Sequence, residues 1–441
     1  MLDTVHRAIQ RTMRISLLEG SVTQIFLNWT TGSVLVGYMV YLHSSPIDLA
    51  LISSVPLLAQ MVSPLAGWWA GLLGRRKGLT ALTAVIGRGV WVLAATLPQL
   101  GIPPHLEPAF MVLLVLVSSL FQSLTGVLWT SWMGDVVPGE QRGRYFGFRT
   151  GWTNLVGMLG NLAAGKYLDH HVAPMSFQVL LWISVGIAAV GIGLYFLHYE
   201  PPVRTGPTSL AKNLSVPLAD PDFRVFLRFA VFWQLAVMTG SPFVYPYFLT
   251  QLKLSYEDIA IWSAISASWG LLVTWLWGRV ADRFGNKAVL AIGSFLAGTA
   301  LPLSWVLAGL SGNIGWIWVA GVLDSTCWGA INPAIFNLAL VNSPREDRMA
   351  YVGVYSLTSG LAGFLGGLIS GPLLSVLLRA HLTLLGIPWT GYYSLFAISG
   401  LLRSQAWRLL RPVKETHAWR TRDVLRELRP WKFLGMPWRG S

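Results

Sequence analysis

The decapeptide GRVADRFGNK at residues 278–287 is a short charged turn between two long apolar runs. A related turn, GWWAGLLGRRK at residues 67–77, also follows one apolar run and precedes another. Gly71 stands in the earlier turn where the acid Asp282 stands in the later one. Two related turns about half a chain apart predict a molecule built from two similar halves.

The composition indicates a membrane protein. Of the 441 residues, 54% are hydrophobic and 12% are charged, whereas a soluble domain carries about 25% charged residues. The net charge is +13, and the lysines and arginines fall in the turns between apolar runs. We therefore interpret the positive charge as a topology signal and expect no nucleic-acid partner. Cys327 is the single cysteine, so no intramolecular disulfide is possible.

Twelve apolar runs are long enough to cross a bilayer, which takes about 20 residues in a helix. They lie at 15–42, 48–72, 79–101, 106–134, 150–169, 176–198, 224–251, 257–281, 288–310, 313–341, 351–379 and 389–410. We number them spans 1 to 12. The longest connections predict the domain limits, which are a six-helix bundle at 1–198, a cytoplasmic linker at 199–223, a second bundle at 224–411 and a tail at 412–441.

The charge distribution predicts the orientation. If the N-terminus is cytoplasmic, 28 of the 32 lysines and arginines belong to the inner turns, the linker, the inner end of span 12 and the tail. This asymmetry predicts that both termini are cytoplasmic. Five histidines fall on the outer side, among them the pair His170 and His171. We expect no metal site there, because adjacent histidines in a loop seldom bind metal.

Two further repeats relate the halves. Thr31-Gly32-Ser33 in span 1 recurs as Thr239-Gly240-Ser241 in span 7. After spans 4 and 10, one set of four residue types recurs with a constant offset of 206: Pro138, Arg142, Tyr145 and Gly147 match Pro344, Arg348, Tyr351 and Gly353. Halves of six spans each have the same orientation in the membrane, as in transporters built from parallel repeats.

These motifs resemble those of the major facilitator superfamily. The turn at 278–287 resembles its G-x-x-x-D-R-x-G-x-K turn, and the stretches WTSWMGDVVP at 129–138 and RGRYFG at 142–147 resemble a bacterial subgroup with no assigned substrate. The resemblance implies an all-α membrane protein with twelve transmembrane helices in two pseudo-symmetric six-helix bundles. It also implies that spans 1, 4, 7 and 10 line a central cavity.

Asp324 is the leading candidate for a functional residue. It lies about nine residues from the outer end of span 10, hence roughly 13 Å deep. A charge at that depth costs several kcal/mol unless it faces protein or water. Burial favours the protonated form of a carboxylate, so Asp324 is a candidate proton-coupling site. The alternative is a structural hydrogen bond to a neighbouring span.

Other polar or aromatic residues of the cavity-lining spans are candidates for substrate binding, with helix-to-helix hydrogen bonding as the alternative for each amide. They are Gln24, Asn28, Gln122, Gln234, Trp328 and Asn332. Arg88 in span 3 is a buried charge, with structural pairing to Glu19 as the alternative to a functional role. The family resemblance implies gating charge locks at the inner ends, formed from Asp282, Arg283, Arg75, Arg76, Asp135 and Arg142.

The basic tail predicts an amphipathic helix in the inner headgroup layer, because Ala418, Thr421, Val424, Leu425 and Leu428 share one helical stripe. A disordered tail is the alternative. H-E-x-x-H and G-x-S-x-G are absent from the sequence. A partial phosphate-loop match at 160–167 has Tyr167 where Ser or Thr is needed. We therefore predict no enzymatic activity, no cofactor and no metal.

The leading functional hypothesis is a monomeric secondary active transporter in the bacterial cytoplasmic membrane. It would move a small, partly apolar solute by alternating access, with protons as the coupling ion because no nucleotide-binding module is evident. A lipid or lysolipid flippase on the same scaffold is the first alternative. A sensor or partner-binding protein that does not transport is the second. Flux in proteoliposomes separates the sensor from the other two.

Overall fold

The computed structural model describes residues 2–62, 65–66, 69, 75–201, 210–344, 347–380, 382–384 and 386–415. Within these ranges, each of the twelve predicted runs contains a helix. We keep the span numbers for these helices, and call the end of the molecule that carries the start of span 1 the inner end. The predicted tail helix, including Ala418 to Leu428, lies outside the described residues, as does Gly71.

In the first half the helices are Leu2–Thr31 and Ser33–Tyr41 (span 1), Pro46–Ala59 (span 2), Lys77–Gly89 and Trp91–Ala95 (span 3), Glu107–Val136 (span 4), Arg142–His170 (span 5) and Met175–Tyr195 (span 6). In the second half they are Pro221–Gly240 (span 7), Tyr256–Phe284 (span 8), Asn286–Gly298 and Ala300–Ser311 (span 9), Gly315–Val341 (span 10), Arg348–Arg379 (span 11) and Gly391–Leu410 (span 12).

The remaining elements are short. A helix at Leu210–Ala219 lies in the predicted linker, and a two-stranded antiparallel hairpin, Leu382–Leu384 with Ile387–Trp389, joins spans 11 and 12. Seven helices among the described residues are long and apolar enough to cross a membrane, namely those of spans 3, 4, 6, 7, 8, 9 and 11. Spans 1 and 5 extend beyond their predicted inner limits, because a helix continues into water without the apolar residues that hydropathy detects.

The two halves meet along two pairs of spans. Span 11 packs on span 2, and span 8 packs on span 5. Glycines make the first contact close: a methyl group on Gly367 would lie 2.3 Å from Ser54 Cβ, and one on Gly360 would lie 2.5 Å from the carbonyl oxygen of Leu57. The glycine-rich sequence of span 11 is therefore used at the interface between the halves, where small residues let helices approach.

The Thr-Gly-Ser repeat lies at a helix break in the first span of each half, which is span 1 or span 7. The helix of span 1 ends at Thr31 and restarts at Ser33, and that of span 7 ends at Gly240 before a 3-10 turn at Ser241–Phe243. Glycine fits both positions because a side chain has no room. A Cβ at Gly32 would lie 2.7 Å from the carbonyl oxygen of Asn28, and one at Gly240 would lie 2.9 Å from Ser399 Cβ.

Apolar packing joins the halves at their outer ends. One continuous core contains Tyr38 and Phe177 of the first half together with Tyr247, Phe248 and Phe396 of the second. The inner apolar clusters of the described residues each contain residues from one half only. The halves are thus closed on the outer side, and no such cluster joins their inner ends. With this packing the halves are apart at the inner end, which carries the start of span 1.

Candidate functional site

Asp324 lies between spans 8 and 10, half-buried, and receives hydrogen bonds from neutral groups. Ser266 Oγ of span 8 donates to one carboxylate oxygen at 3.2 Å, and Trp328 Nε1 donates to the other at 3.0 Å. Among the described residues, no lysine, arginine or histidine nitrogen lies within 4.0 Å of this carboxylate. Asp324 is therefore an acid without a direct cationic partner, although burial of an unpaired charge is costly.

One tryptophan, Trp328, contacts this carboxylate, and others tie the neighbouring spans together. The ring of Trp328 packs edge-on against Trp233 of span 7, with centroids 6.2 Å apart. Trp269 and Trp277 of span 8 both donate their indole N–H to Thr326, at 2.9 and 3.0 Å. The bonds of Trp269 and Trp277 join span 8 to span 10. Trp328, packed on Trp233, gives the Asp324 site an aromatic surface on one side.

The second half also contains a buried arginine, although the sequence predicts that this residue belongs to the charged inner end of span 12. Arg403 of span 12 is 1% exposed. Its guanidinium donates to the carbonyl oxygen of Val237 at 3.0 Å, to Ser241 Oγ at 3.0 Å and to the carbonyl oxygen of Ala297 at 3.4 Å. These acceptors lie beside the breaks of spans 7 and 9, so Arg403 ties both broken helices to span 12.

The first half holds its buried charges in a different arrangement. Glu19 of span 1 forms an ion pair with Arg149 of span 5, with 3.1 Å between a carboxylate oxygen and a guanidinium nitrogen. Its other carboxylate oxygen lies 4.0 Å from a guanidinium nitrogen of Arg88 of span 3. Glu19 and Arg88 are each 2% exposed. Arg88 also donates to the hydroxyl of Tyr195 at 3.0 Å. The pairing of Arg88 with Glu19 that we considered is present, and Arg149 joins it as a second arginine that the sequence did not single out.

The predicted substrate-binding amides are not gathered at one point. Gln24 donates to Asn28 Oδ1 at 2.9 Å on the same helix, and both side chains cover Gly157 of span 5. Gln122 accepts from Arg88 Nε at 3.5 Å, which attaches it to the buried charges of the first half. Gln234 packs against Gly363 of span 11, and Asn332 is exposed. Of the predicted set, Trp328 is the residue bonded to Asp324.

At the inner ends, the structure brings one predicted charge pair together. Arg76 of span 3 pairs with Asp135 of span 4 at 2.7 Å and also donates to Ser131 Oγ at 3.0 Å. Arg142 donates instead to the carbonyl oxygen of Gly134. In the described part of the chain, Asp282 and Arg142 are not within ion-pair distance of each other, and Arg75 forms none of the ion pairs found there. The guanidinium of Arg283 lies 5.0 Å from the ring centroid of Phe284.

In each half, a glutamate caps the N-terminus of the third span at the inner end. The sequence did not predict these caps. Glu200 accepts the backbone N–H groups of Arg76 and Lys77 at 2.6 and 2.9 Å. Glu415 accepts those of Asn286 and Lys287 at 2.9 and 2.8 Å. A carboxylate at a helix N-terminus satisfies free donors and the helix dipole. The geometry therefore repeats between the halves where the sequence motif does not.

The family model of the Major Facilitator Superfamily matches residues 20–367 and 229–439. The chain belongs to the Major Facilitator Superfamily. Its fold is accordingly the superfamily fold of two six-helix bundles, and the expected all-α membrane architecture is confirmed. The family and the solved structures of similar fold identify this superfamily member as an integral membrane transporter and not an enzyme.

Solved superfamily structures share the fold at low sequence identity. The nucleoside transporter NupG aligns with a TM-score of 0.71 and 16% identity, covering 93% of this chain and 100% of that one. A D-xylose–proton symporter aligns with a TM-score of 0.66 and 15% identity, covering 94% and 98%. Puromycin resistance protein pur8 of Streptomyces alboniger is 37% identical over 110 residues, which cover 24% of this chain and 20% of that protein.

Proposed function

We propose that this chain is a proton-coupled secondary transporter that moves a small, partly apolar solute by alternating access. The observation that carries the proposal is Asp324, a half-buried carboxylate whose hydrogen-bond donors among the described residues are the neutral groups of Ser266 and Trp328. With no cation at hydrogen-bond distance, this acid can hold a proton or release it without breaking an ion pair. The aromatic pair of Trp328 and Trp233 beside this acid supports an apolar or aromatic-bearing solute.

The comparisons support the same class of function. One similar structure is that of a D-xylose–proton symporter, and pur8 is a puromycin resistance protein. These names favour protons as the coupling ion and place antimicrobials beside metabolites among the solutes to test. We further propose a monomer in the bacterial cytoplasmic membrane with both termini in the cytoplasm, because the positive charges lie on that side.

Protonation of Asp324 would link the solute to the proton gradient. In the inward-open conformation the site between spans 8 and 10 is reached from the inner side, so a proton leaves or enters from the cytoplasm. In the outward-open conformation it exchanges with the outer solution. A carboxylate whose charge is costly when buried crosses the closed intermediate in its neutral form. This makes the reorientation depend on the proton.

The solute must be identified first. A thermal-shift screen of the purified protein against metabolites and antimicrobials finds it, because a ligand that binds the folded state raises the unfolding temperature. Uptake of the solute found in this way is then measured in proteoliposomes with and without an imposed pH gradient. Gradient-driven accumulation is expected for the natural protein. A flux of the same size with and without the pH gradient would contradict proton coupling.

Asp324→Asn is the decisive variant. It keeps an oxygen acceptor for Trp328, and its amide N–H can donate to the Ser266 hydroxyl instead of accepting from it. It cannot release a proton, so accumulation driven by the gradient should be lost while the protein remains folded. Asp48→Asn is the matched control, because Asp48 caps span 2 within its own half. A stable Asp324→Asn protein with unchanged gradient-driven uptake would refute the role of Asp324. Loss of stability with coupled uptake retained would make the residue structural.

A further inference from the structure

We propose that Asp169 and Tyr256 form an outer latch, which holds the two halves together while the inner side is open. The inference rests on the proposed alternating access. Asp169 lies at the outer end of span 5 in the first half, and Tyr256 is the first residue of span 8 in the second half. The latch would stabilise the inward-open conformation relative to the outward-open one.

The hydrogen bonds of the latch complete a helix N-terminus across the two halves. One carboxylate oxygen of Asp169 accepts the backbone N–H of Tyr256 at 2.9 Å, and the other accepts that of Glu257 at 2.7 Å. Ser255 already accepts the N–H of Asp258 in a capping box. The opposite half therefore supplies acceptors for two donors that the helix of span 8 cannot satisfy itself.

The packing around Tyr256 brings the backbones of the halves together. A methyl group on Gly165 of span 5 would lie 2.6 Å from the carbonyl oxygen of Tyr256, and one on Gly37 of span 1 would lie 2.4 Å from its ring. The ring also meets Phe177 of span 6 edge-on, at 5.9 Å between centroids. Tyr256 is thus seated among three spans of the first half, and two glycines make room for it.

The latch depends on conformation because each of these contacts joins one half to the other. When the outer ends separate, Asp169 and the start of span 8 return to water together. The anion at the helix N-terminus then loses the dipole of span 8, an interaction of the kind that changes an equilibrium by about two- to five-fold at an exposed site. The close backbone approach at Gly165 is lost at the same time.

The test uses double electron–electron resonance to measure the distance between the outer ends of the two halves. The labelled proteins carry Cys327→Ala, which removes the native cysteine. Spin labels are placed at two exposed outer positions of opposite halves, His105 in the loop between spans 3 and 4 and Ser311 at the end of the span 9 helix. Asp169→Asn should raise the ratio of outer-open to outer-closed molecules by about two- to five-fold. Gly165→Ala should shift the same ratio further, because a backbone carbonyl cannot move aside as a side chain does.

Two controls are matched to these variants. Asp48→Asn removes an outer acid that caps a helix of its own half, and Gly151→Ala adds a methyl to span 5 where no atom lies within 4 Å. Neither should change the distances. Distances that are the same in Asp169→Asn, Gly165→Ala and both controls would overturn the latch. The readout needs no solute or flux, so a failure of proton-coupled transport would appear only in the proteoliposome experiment.

Discussion

The two halves treat their buried charges differently although their helices correspond. In the first half, Glu19 lies among two arginines, Arg88 and Arg149, in one ion-pair network. In the second half, Asp324 and Arg403 are each bonded by neutral groups, and no ion pair between them is within 4.0 Å. Protonation of Glu19 would break ion pairs, whereas Asp324 has no ion pair to break among the described residues. Under the proposed function, this difference would give a structural role to the first half and a switching role to the second.

The inner ends show the same contrast. Arg76, Ser131 and Asp135 form a charged contact between spans 3 and 4. At the corresponding place between spans 9 and 10, Asn337 donates to Asn286 Oδ1 at 3.0 Å, which is a neutral contact. The helix caps Glu200 and Glu415 are nevertheless alike. The architecture is therefore preserved by backbone interactions, while the side-chain charges have diverged.

The largest expected effect distinguishes the two acids. Glu19→Gln leaves the buried Arg88 and the partly buried Arg149 without their acid, so we expect a loss of about 3–5 kcal/mol of stability. Asp324→Asn keeps a hydrogen-bond acceptor and should cost about 0.5–1.5 kcal/mol. Thermal unfolding of both variants in one detergent tests the contrast. Equal losses would remove the distinction between a structural and a switching half.

The second prediction concerns Arg403, which forms no ion pair with an acid in the described part of the chain. Arg403→Lys retains the charge but cannot reach the carbonyl oxygens of Val237 and Ala297 together, so we expect a loss of about 1–3 kcal/mol. Arg408→Lys, on the same span and exposed, is the control and should be neutral. Thermal unfolding compares the two. A neutral Arg403→Lys variant would show that the tie to spans 7 and 9 is not needed for stability.

The third prediction tests whether the helix caps Glu200 and Glu415 contribute equally to stability. Glu200→Gln and Glu415→Gln each remove an anion from a helix N-terminus and should each cost about 0.3–1 kcal/mol. Because the geometry is repeated, the two losses should agree. Unfolding temperatures measured at low and high salt check this, since screening reduces the effect. A loss confined to one variant would show that the caps are not equivalent.

The smallest expected effect is a pH dependence of stability caused by His198 in the first half. His198, beyond span 6, is buried, and burial lowers the pKa of its imidazole. Its carbonyl accepts Lys77 Nζ as that of Val413 accepts Lys287 Nζ. The unfolded chain binds a proton near pH 6.5, where the folded state does not, so stability should fall as pH drops below about 6.5.

His198→Gln should flatten this part of the pH profile. The check is the unfolding temperature between pH 5 and 7.5, measured beside the natural protein. Val413→Ala, at the matching position of the second half, should lower the unfolding temperature equally at every pH. A pH slope that persists in His198→Gln would assign the titration to another group.

Span 1 shows how sequence and structure differ at the edges of elements. Hydropathy places its start near residue 15, whereas the helix begins at Leu2. Apolar residues are required only within the bilayer, and the backbone hydrogen bonds of a helix continue beyond it. The Thr-Gly-Ser repeat was visible in the sequence, but its meaning as a pair of helix breaks depends on Asn28 and Ser399, which contact the glycines.

The sequence by itself determined the membrane class, the twelve helical runs, the two related halves and the prominence of Asp324. These follow from local composition and periodicity, because each helix satisfies its own backbone within the bilayer. The tertiary structure decided which charges have partners. Arg149, Arg403, Ser266, Glu200 and Glu415 acquire their roles from segments that are distant in the chain, and no local pattern encodes such a contact. The same holds for Asp169, whose hydrogen-bond donors belong to the opposite half.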